Sequence, residues 1–199
     1  MDHFGLIAPY YDRIFRRRDV ASLAAHVAAQ PSHRLLDVGG GTGRIARHFV
    51  GMVAQVFILD PSPDMLLEAQ RKGEGEKGKR EKAKGICIAQ GLSEHMPFQT
   101  AAFDRIIVID VFHHLIDQQR AAHEMMRVLA TGGRLVVEEP DIAHWGVRLT
   151  AQAEKLLRMR SHFYSAAQVK TMFERAGGQV RIARQGHVFW AIVNKPLEV

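Results

Sequence analysis

The sequence predicts an α/β fold: a doubly wound, mostly parallel sheet of seven strands with an antiparallel C-terminal hairpin. Three observations predict it. Short continuous apolar runs alternate with longer amphipathic segments. A glycine-rich turn follows directly on the first of those runs, and only Gln185 and Gly186 separate the last two. With 199 residues the chain suits one domain, 1–199, and can bury a sizeable core.

Each element has a local reason. Asp19 can cap a helix over 20–30, which Pro31 and Ser32 stop. A strand covers 34–38, and a helix is expected to leave the glycine turn with Ile45, Phe49 and Val50 facing inward. Residues 53–59 form the second strand. Ser62 then serves as N-cap with Pro63 at the first helical position. The runs 86–89 and 105–109 are apolar but for Arg105, as expected of parallel strands covered on both faces. Asp117 caps a helix ending near Ala130, and Thr131-Gly132-Gly133 supplies a left-handed exit before the strand 134–138. Ser165 and Gln168 make a capping box for a helix reaching Ala176, stopped by Gly177-Gly178. The strands 179–184 and 187–194 follow as a hairpin, so the sheet is expected to end with an antiparallel strand at its edge.

Composition narrows the functional classes. No apolar run approaches the roughly 20 residues that span a bilayer, and the N-terminus lacks the basic-then-apolar order of a signal peptide. Cys87 is the single cysteine, which excludes an internal disulfide and a multi-thiolate metal site. Eleven histidines are scattered without a ligand-spaced pair and carboxylate, so no metal is expected. These features predict a cytoplasmic protein. The net charge of +6 comes mainly from residues 71–84, with seven basic and three acidic residues. That glycine-interrupted stretch has little to bury, so 71–85 reads as a basic, mobile loop, and nucleic acid is not the expected partner. The irregular stretch 140–164 reads as a cap over the acceptor side.

The stretch LLDVGGGTGR, residues 35–44, carries the functional signal. Glycines behind a first strand let the backbone approach a ligand, and the helix beyond them offers unpaired N–H groups. No Gly-Lys-Ser/Thr follows, so this is not a P-loop. Asp37, two residues before Gly39, repels a pyrophosphate but suits a ligand with an ammonium group. Asp60 closes the next strand, where it can accept hydrogen bonds from both ribose hydroxyls. A nucleoside bearing an amino acid in place of phosphates, as in S-adenosylmethionine, meets both demands.

DVGGGTG, residues 37–43, resembles motif I of the class I S-adenosylmethionine-dependent methyltransferases. LDPSPDML (59–66) resembles their ribose-binding segment, SEHMPF (93–98) and FDRIIVIDVFHHL (103–115) the adenine-side loop and fourth strand. RVLATGGRLVVEEP (127–140) resembles the run into the fifth strand. FGLIAPYYD (4–12) is similar to the opening of the ubiquinone/menaquinone C-methyltransferases, as is the C-terminal stretch 172–196. The chain departs from that subfamily at Phe112-His113-His114-Leu115, where Gly-Leu-Arg-Asn is usual, and at Glu138-Glu139-Pro140, where Glu-Phe-Ser is usual.

The resemblance implies a Rossmann-like methyltransferase fold and methyl transfer from S-adenosylmethionine to a small-molecule acceptor, releasing S-adenosylhomocysteine. It implies that Gly39, Gly41 and Gly43 cradle the methionine portion and Asp37 its amino group. Asp60 would take the ribose, and Met65, Leu92 and Ser93 would meet the adenine. The family commonly has Asp or Asn where Leu92 stands, so Ser93 or Glu94 would substitute there. Asp110 would line the cleft, and Tyr11, in the lid segment 1–18, would close over the sulfonium. His113 and His114 are the candidates for a catalytic base, with His144 and His162 behind them. Glu138 and Glu139 are read as a local salt bridge or cap. Two alternatives are a non-catalytic S-adenosylmethionine-binding protein and an RNA or protein methyltransferase using the basic loop.

Overall fold

The computed structural model describes residues 20–74, 86–142 and 162–197. Its elements are α1 (Val20–Val27), β1 (Arg34–Val38), a 3-10 turn (Ala46–Phe49), β2 (Gln55–Asp60), α2 (Pro63–Glu74), β3 (Ile86–Gln90) and β4 (Phe103–Ile109). A second 3-10 turn (Phe112–His114), α3 (Gln118–Val128), β5 (Leu129–Pro140), α4 (Ala166–Arg175), β6 (Gln179–Gln185) and β7 (Val188–Asn194) complete it. The seven strands form one sheet in the order β3-β2-β1-β4-β5-β7-β6. β1 pairs in parallel with β2 and β4, β2 with β3, and β4 with β5, while β7 runs antiparallel to both β5 and β6.

Both faces of this sheet are covered, which is why its central strands carry continuous apolar runs such as 106–109 and 135–137. On one face α3 and α4 bury Ala121, Met125, Val169 and Phe173 against Leu36, Ile106 and Leu135. On the other, Leu23 and Val27 of α1, Phe49, and Leu66 and Ala69 of α2 pack on Leu35, Ile58 and Ile107. Among the described residues no helix is long and apolar enough to cross a membrane.

Of the expected caps, those at Ser62, Asp117 and Ser165 are present, and Asp19 lies outside the described residues. Asp117 accepts from the Arg120 N–H at 2.9 Å, and Ser165 and Gln168 form a reciprocal capping box. Five local expectations need correction. The antiparallel strand is not at the sheet edge: β7 inserts between β5 and β6. Val188–Asn194 is almost wholly buried, whereas Gln179–Gln185 carries two arginines and is half exposed, so the apolar strand takes the inner place. The segment after the glycine turn makes only the four-residue 3-10 turn, because Gly51 (φ +85°) and a Val50–Val53 bridge close it. Helix α1 stops at Val27, where Ala28 adopts φ +49°. The glycine exit after α3 is folded into β5 as a bulge: Phe103 pairs with Leu129 but Arg105 with Arg134. Residues 71–74, expected in the loop, continue α2, and the rest of 71–85 lies outside the described residues.

Candidate functional site

The carboxyl ends of β1, β2 and β4 surround a cavity of about 660 Å³. It opens where the chain order reverses, with β2 on one side of β1 and β4 on the other, the position at which doubly wound sheets hold ligands. The volume lies in the range of cofactor pockets.

The glycine turn is its floor. The Gly39 and Gly40 N–H groups donate to the Leu59 carbonyl at 2.7 and 3.3 Å, tying the turn to β2. Gly39 and Gly41 line the cavity at φ +67° and +52°. A Cβ on Gly39 would stand 2.6 Å from Val111 Cγ2, so the fourth-strand exit closes onto this glycine. Gly40, which the motif spacing did not single out, has no room either: its Cβ would lie 2.8 Å from the Asp37 carboxyl carbon. Gly43 does not line the cavity. Its Cβ would meet Ile58 Cδ1 at 2.7 Å, so its part is packing of the turn on β2.

Two carboxylates stand at adjacent strand tips. Asp37 is buried beneath the turn and lines the cavity. Burial and the neighbouring Asp60 charge push its carboxyl up to about 7, against the Ala46 N–H and the Arg44 charge. Asp60 is oriented by two backbone donors, Gly41 N–H to Oδ2 and Ser62 N–H to Oδ1, each 2.9 Å. Ser62 in turn begins α2, its hydroxyl accepting from the Met65 N–H at 3.4 Å. One short stretch thus fixes Asp60 and presents Met65 to the same wall.

The far wall is more apolar. Leu92, 47% exposed, lines the cavity with Met65 and with Ser93, whose hydroxyl donates to Glu94 Oε2 at 3.0 Å. Glu94 Oε1 accepts from the Ile116 and Asp117 N–H groups at 2.8 and 3.1 Å, joining this loop to the start of α3. Asp110 follows β4 at φ +57°, a conformation rare outside glycine and concentrated at functional sites. Among the described residues, Asp37, Asp60, Glu94 and Asp110 line the cavity, with Arg44 the one guanidinium beside them.

The two histidines after β4 separate. His114 lines the cavity, and burial, then the neighbouring His113, hold its imidazole down to about 4 despite Asp110. His113 does not line it. Its Nδ1 lies 2.5 Å from Glu139 Oε2, its ring is stacked on Phe163 with centroids 4.3 Å apart, and it is 4% exposed. The His162 N–H donates to the His113 carbonyl at 2.8 Å, and His162 is not part of the wall. Glu138 accepts from the Trp190 indole at 2.9 Å. Tyr11, the lid 1–18, His144 and most of the cap 140–164 lie outside the described residues; Pro140 itself ends β5.

Residues 36–137 match the family described as a methyltransferase domain. The demethylmenaquinone methyltransferase of Thermus thermophilus is 35% identical over 152 residues, covering 68% of this chain and 63% of that protein. The ubiquinone/menaquinone biosynthesis C-methyltransferase of Shewanella frigidimarina is 31% identical over 151 residues, 69% of this chain and 57% of that one. The chain therefore spans under two thirds of the length of these relatives. A solved S-adenosylmethionine-dependent methyltransferase from Aquifex aeolicus shares the fold, with a TM-score of 0.71 at 19% identity over 88% of this chain and 89% of that one.

Proposed function

Because the chain belongs to the methyltransferase domain family, we propose that it moves the methyl group of S-adenosylmethionine to a small-molecule acceptor by in-line displacement. The observation that carries this reading is the charge of the cavity wall among the described residues: four acidic side chains and one guanidinium, with Asp37 and Asp60 at neighbouring strand tips. Such a wall repels the phosphates of a nucleotide and suits an ammonium and a sulfonium.

The residues fit the cofactor end to end. Asp37 would take the amino group, the backbone at Gly39 and Gly41 the methionine portion, and Asp60 the ribose hydroxyls. Met65, Leu92 and Ser93 would enclose the adenine. Asp110 and His114 would stand beside the reacting end, with Leu115 and Ile116 on the acceptor side. S-adenosylmethionine supplies, when bound, a methyl group on a sulfonium, open to attack opposite the departing sulfur. The chain's own contribution is then alignment and exclusion of water. Asp37 and Asp60 fix the two ends of the ligand, and the wall around Val111 and Leu115 keeps the acceptor side apolar. A cytoplasmic location is part of the same proposal.

Calorimetry tests it: S-adenosylmethionine and S-adenosylhomocysteine should bind and ATP should not, and incubation with acceptors should release S-adenosylhomocysteine. ATP binding at the turn would overturn the reading. A non-catalytic binding protein is the second reading, favoured by the apolar Leu92 at the adenine end. It predicts the same binding with no S-adenosylhomocysteine from any acceptor.

A further inference from the structure

Glu139 is a buried acid for which the methyl transfer proposed above has no use. It stands near the end of β5, beside the cavity but not on its wall. Both of its oxygens are engaged: Oε1 accepts from the Phe112 N–H at 2.8 Å, and Oε2 meets His113 Nδ1 at 2.5 Å. At that separation a buried carboxyl and an imidazole share one proton through a short, charge-assisted hydrogen bond. His113 is clamped besides, by the Phe163 stack and by the His162 N–H on its carbonyl. Its ring centroid lies 4.0 Å from that of His114, which does line the cavity.

We propose that Glu139 and His113 are positioning residues that hold a cation beside His114, keeping that imidazole an unprotonated hydrogen-bond acceptor at the cavity wall. The proposal rests on the methyl-transfer reading for its purpose. Among the described residues, the charged groups acting on His114 are Asp110 at the exit of β4 and His113 beside it, with Glu139 behind His113 on β5. Asp110 favours the charged imidazole, while burial and His113 oppose it. Burial also pushes Glu139 up, and His113 counters it, as a shared proton requires.

The consequence is chemical. The acceptor atom facing His114 carries a proton. As its bond to the methyl carbon forms, the carbon–sulfur bond breaks with its electron pair going to sulfur. The acceptor's proton passes to His114 and from there to solvent, one proton per methyl group. An imidazole held this low takes a proton only from a group that the arriving methyl has made strongly acidic.

Histidine ¹⁵N NMR of the full-length protein, free and with S-adenosylhomocysteine, tests this. In the wild type the His114 ring should stay neutral through pH 6, and His113 should show a far-downfield Nδ1 proton. In Glu139→Gln that proton should vanish and the His114 midpoint should rise by about one pH unit, as loss of a neighbouring cation predicts. His113→Phe keeps a ring against Phe163 and should produce the same rise, so it serves if Glu139→Gln fails to fold. An unchanged His114 midpoint in the folded variant, or a His114 already protonated at pH 7 in the wild type, overturns the proposal. Calorimetry on the same samples separates the two claims. Failure of the wild type to bind S-adenosylmethionine would sink the methyl-transfer reading while the His114 shift in the free protein still decides this one.

Discussion

Asp37 and Glu139 sit at the tips of β1 and β5 and share a predicament: each is a buried carboxyl that burial pushes up. What surrounds them differs. Glu139 has its partners built in, with His113 Nδ1 at 2.5 Å and the Phe112 N–H on its other oxygen. Asp37 lines the cavity, takes the Ala46 N–H, and has a second acid, Asp60, as its neighbour. A shifted titration therefore does not by itself mark a ligand contact. One carboxyl has its partners within the fold; under the proposed function the other takes its partner cation from the ligand.

The sharpest way to break this comparison is at Asp60, the second acid of the first site. Asp60→Ala should weaken S-adenosylmethionine binding about 100-fold or more, the worth of two charge-assisted hydrogen bonds at ~3 kcal/mol together. The fold should remain by circular dichroism, though Gly41 and Ser62 lose their acceptor. Unchanged affinity would count against the ribose assignment.

Asp37→Asn should weaken binding by about 30-fold while stabilising the free protein, since the amide has no charge to desolvate. The sign follows from the raised folded-state value of about 7. The contribution of a carboxyl so raised is fully present below its unfolded value and is lost as pH rises through 7. The gain in Tm should therefore be larger at pH 8 than at pH 5. A Tm that falls equally at both would contradict it.

Two glycines sharpen the contrast between cavity and packing. Gly39→Ala should cost about 2 kcal/mol of stability and also weaken binding, because its positive φ and the Val111 contact both disfavour a Cβ at the cavity floor. Gly43→Ala should destabilise the fold by a similar amount, measured by urea unfolding, with less effect on affinity in the molecules that remain folded. The smallest effect belongs to Leu92→Asn. Restoring a polar group on the adenine side should tighten binding by less than tenfold, about 1 kcal/mol, in a calorimetric titration.

The sheet, and the acids at the tips of β1 and β2, were legible in the sequence for a physical reason. Buried parallel strands read as apolar runs, and a carboxylate ending such a run is conspicuous, as at Asp37 and Asp60. The acceptor half was less legible. His113 and His114 are identical in sequence, but successive residues of a 3-10 turn point about 120° apart, so one turns to Glu139 and the other to the cavity. The glycine pattern shows a tight turn without showing which position faces the cavity, so it does not separate Gly40, which lines it, from Gly43, which packs on Ile58. The place of β7 escaped local reading because it depends on which hairpin strand is more apolar overall. That contrast, VFWAIVN against QVRIARQ, is present in the sequence and could have decided it.

The most direct test of the central claim is proton release on binding S-adenosylmethionine, read as the dependence of calorimetric enthalpy on buffer ionisation. With Asp37 at about 7, binding of a cation should expel close to one proton at pH 6 and almost none at pH 8. The Asp37→Asn variant should expel none at either. A wild type whose heat at pH 6 is the same in every buffer would mean that Asp37 does not meet the ligand's positive charge.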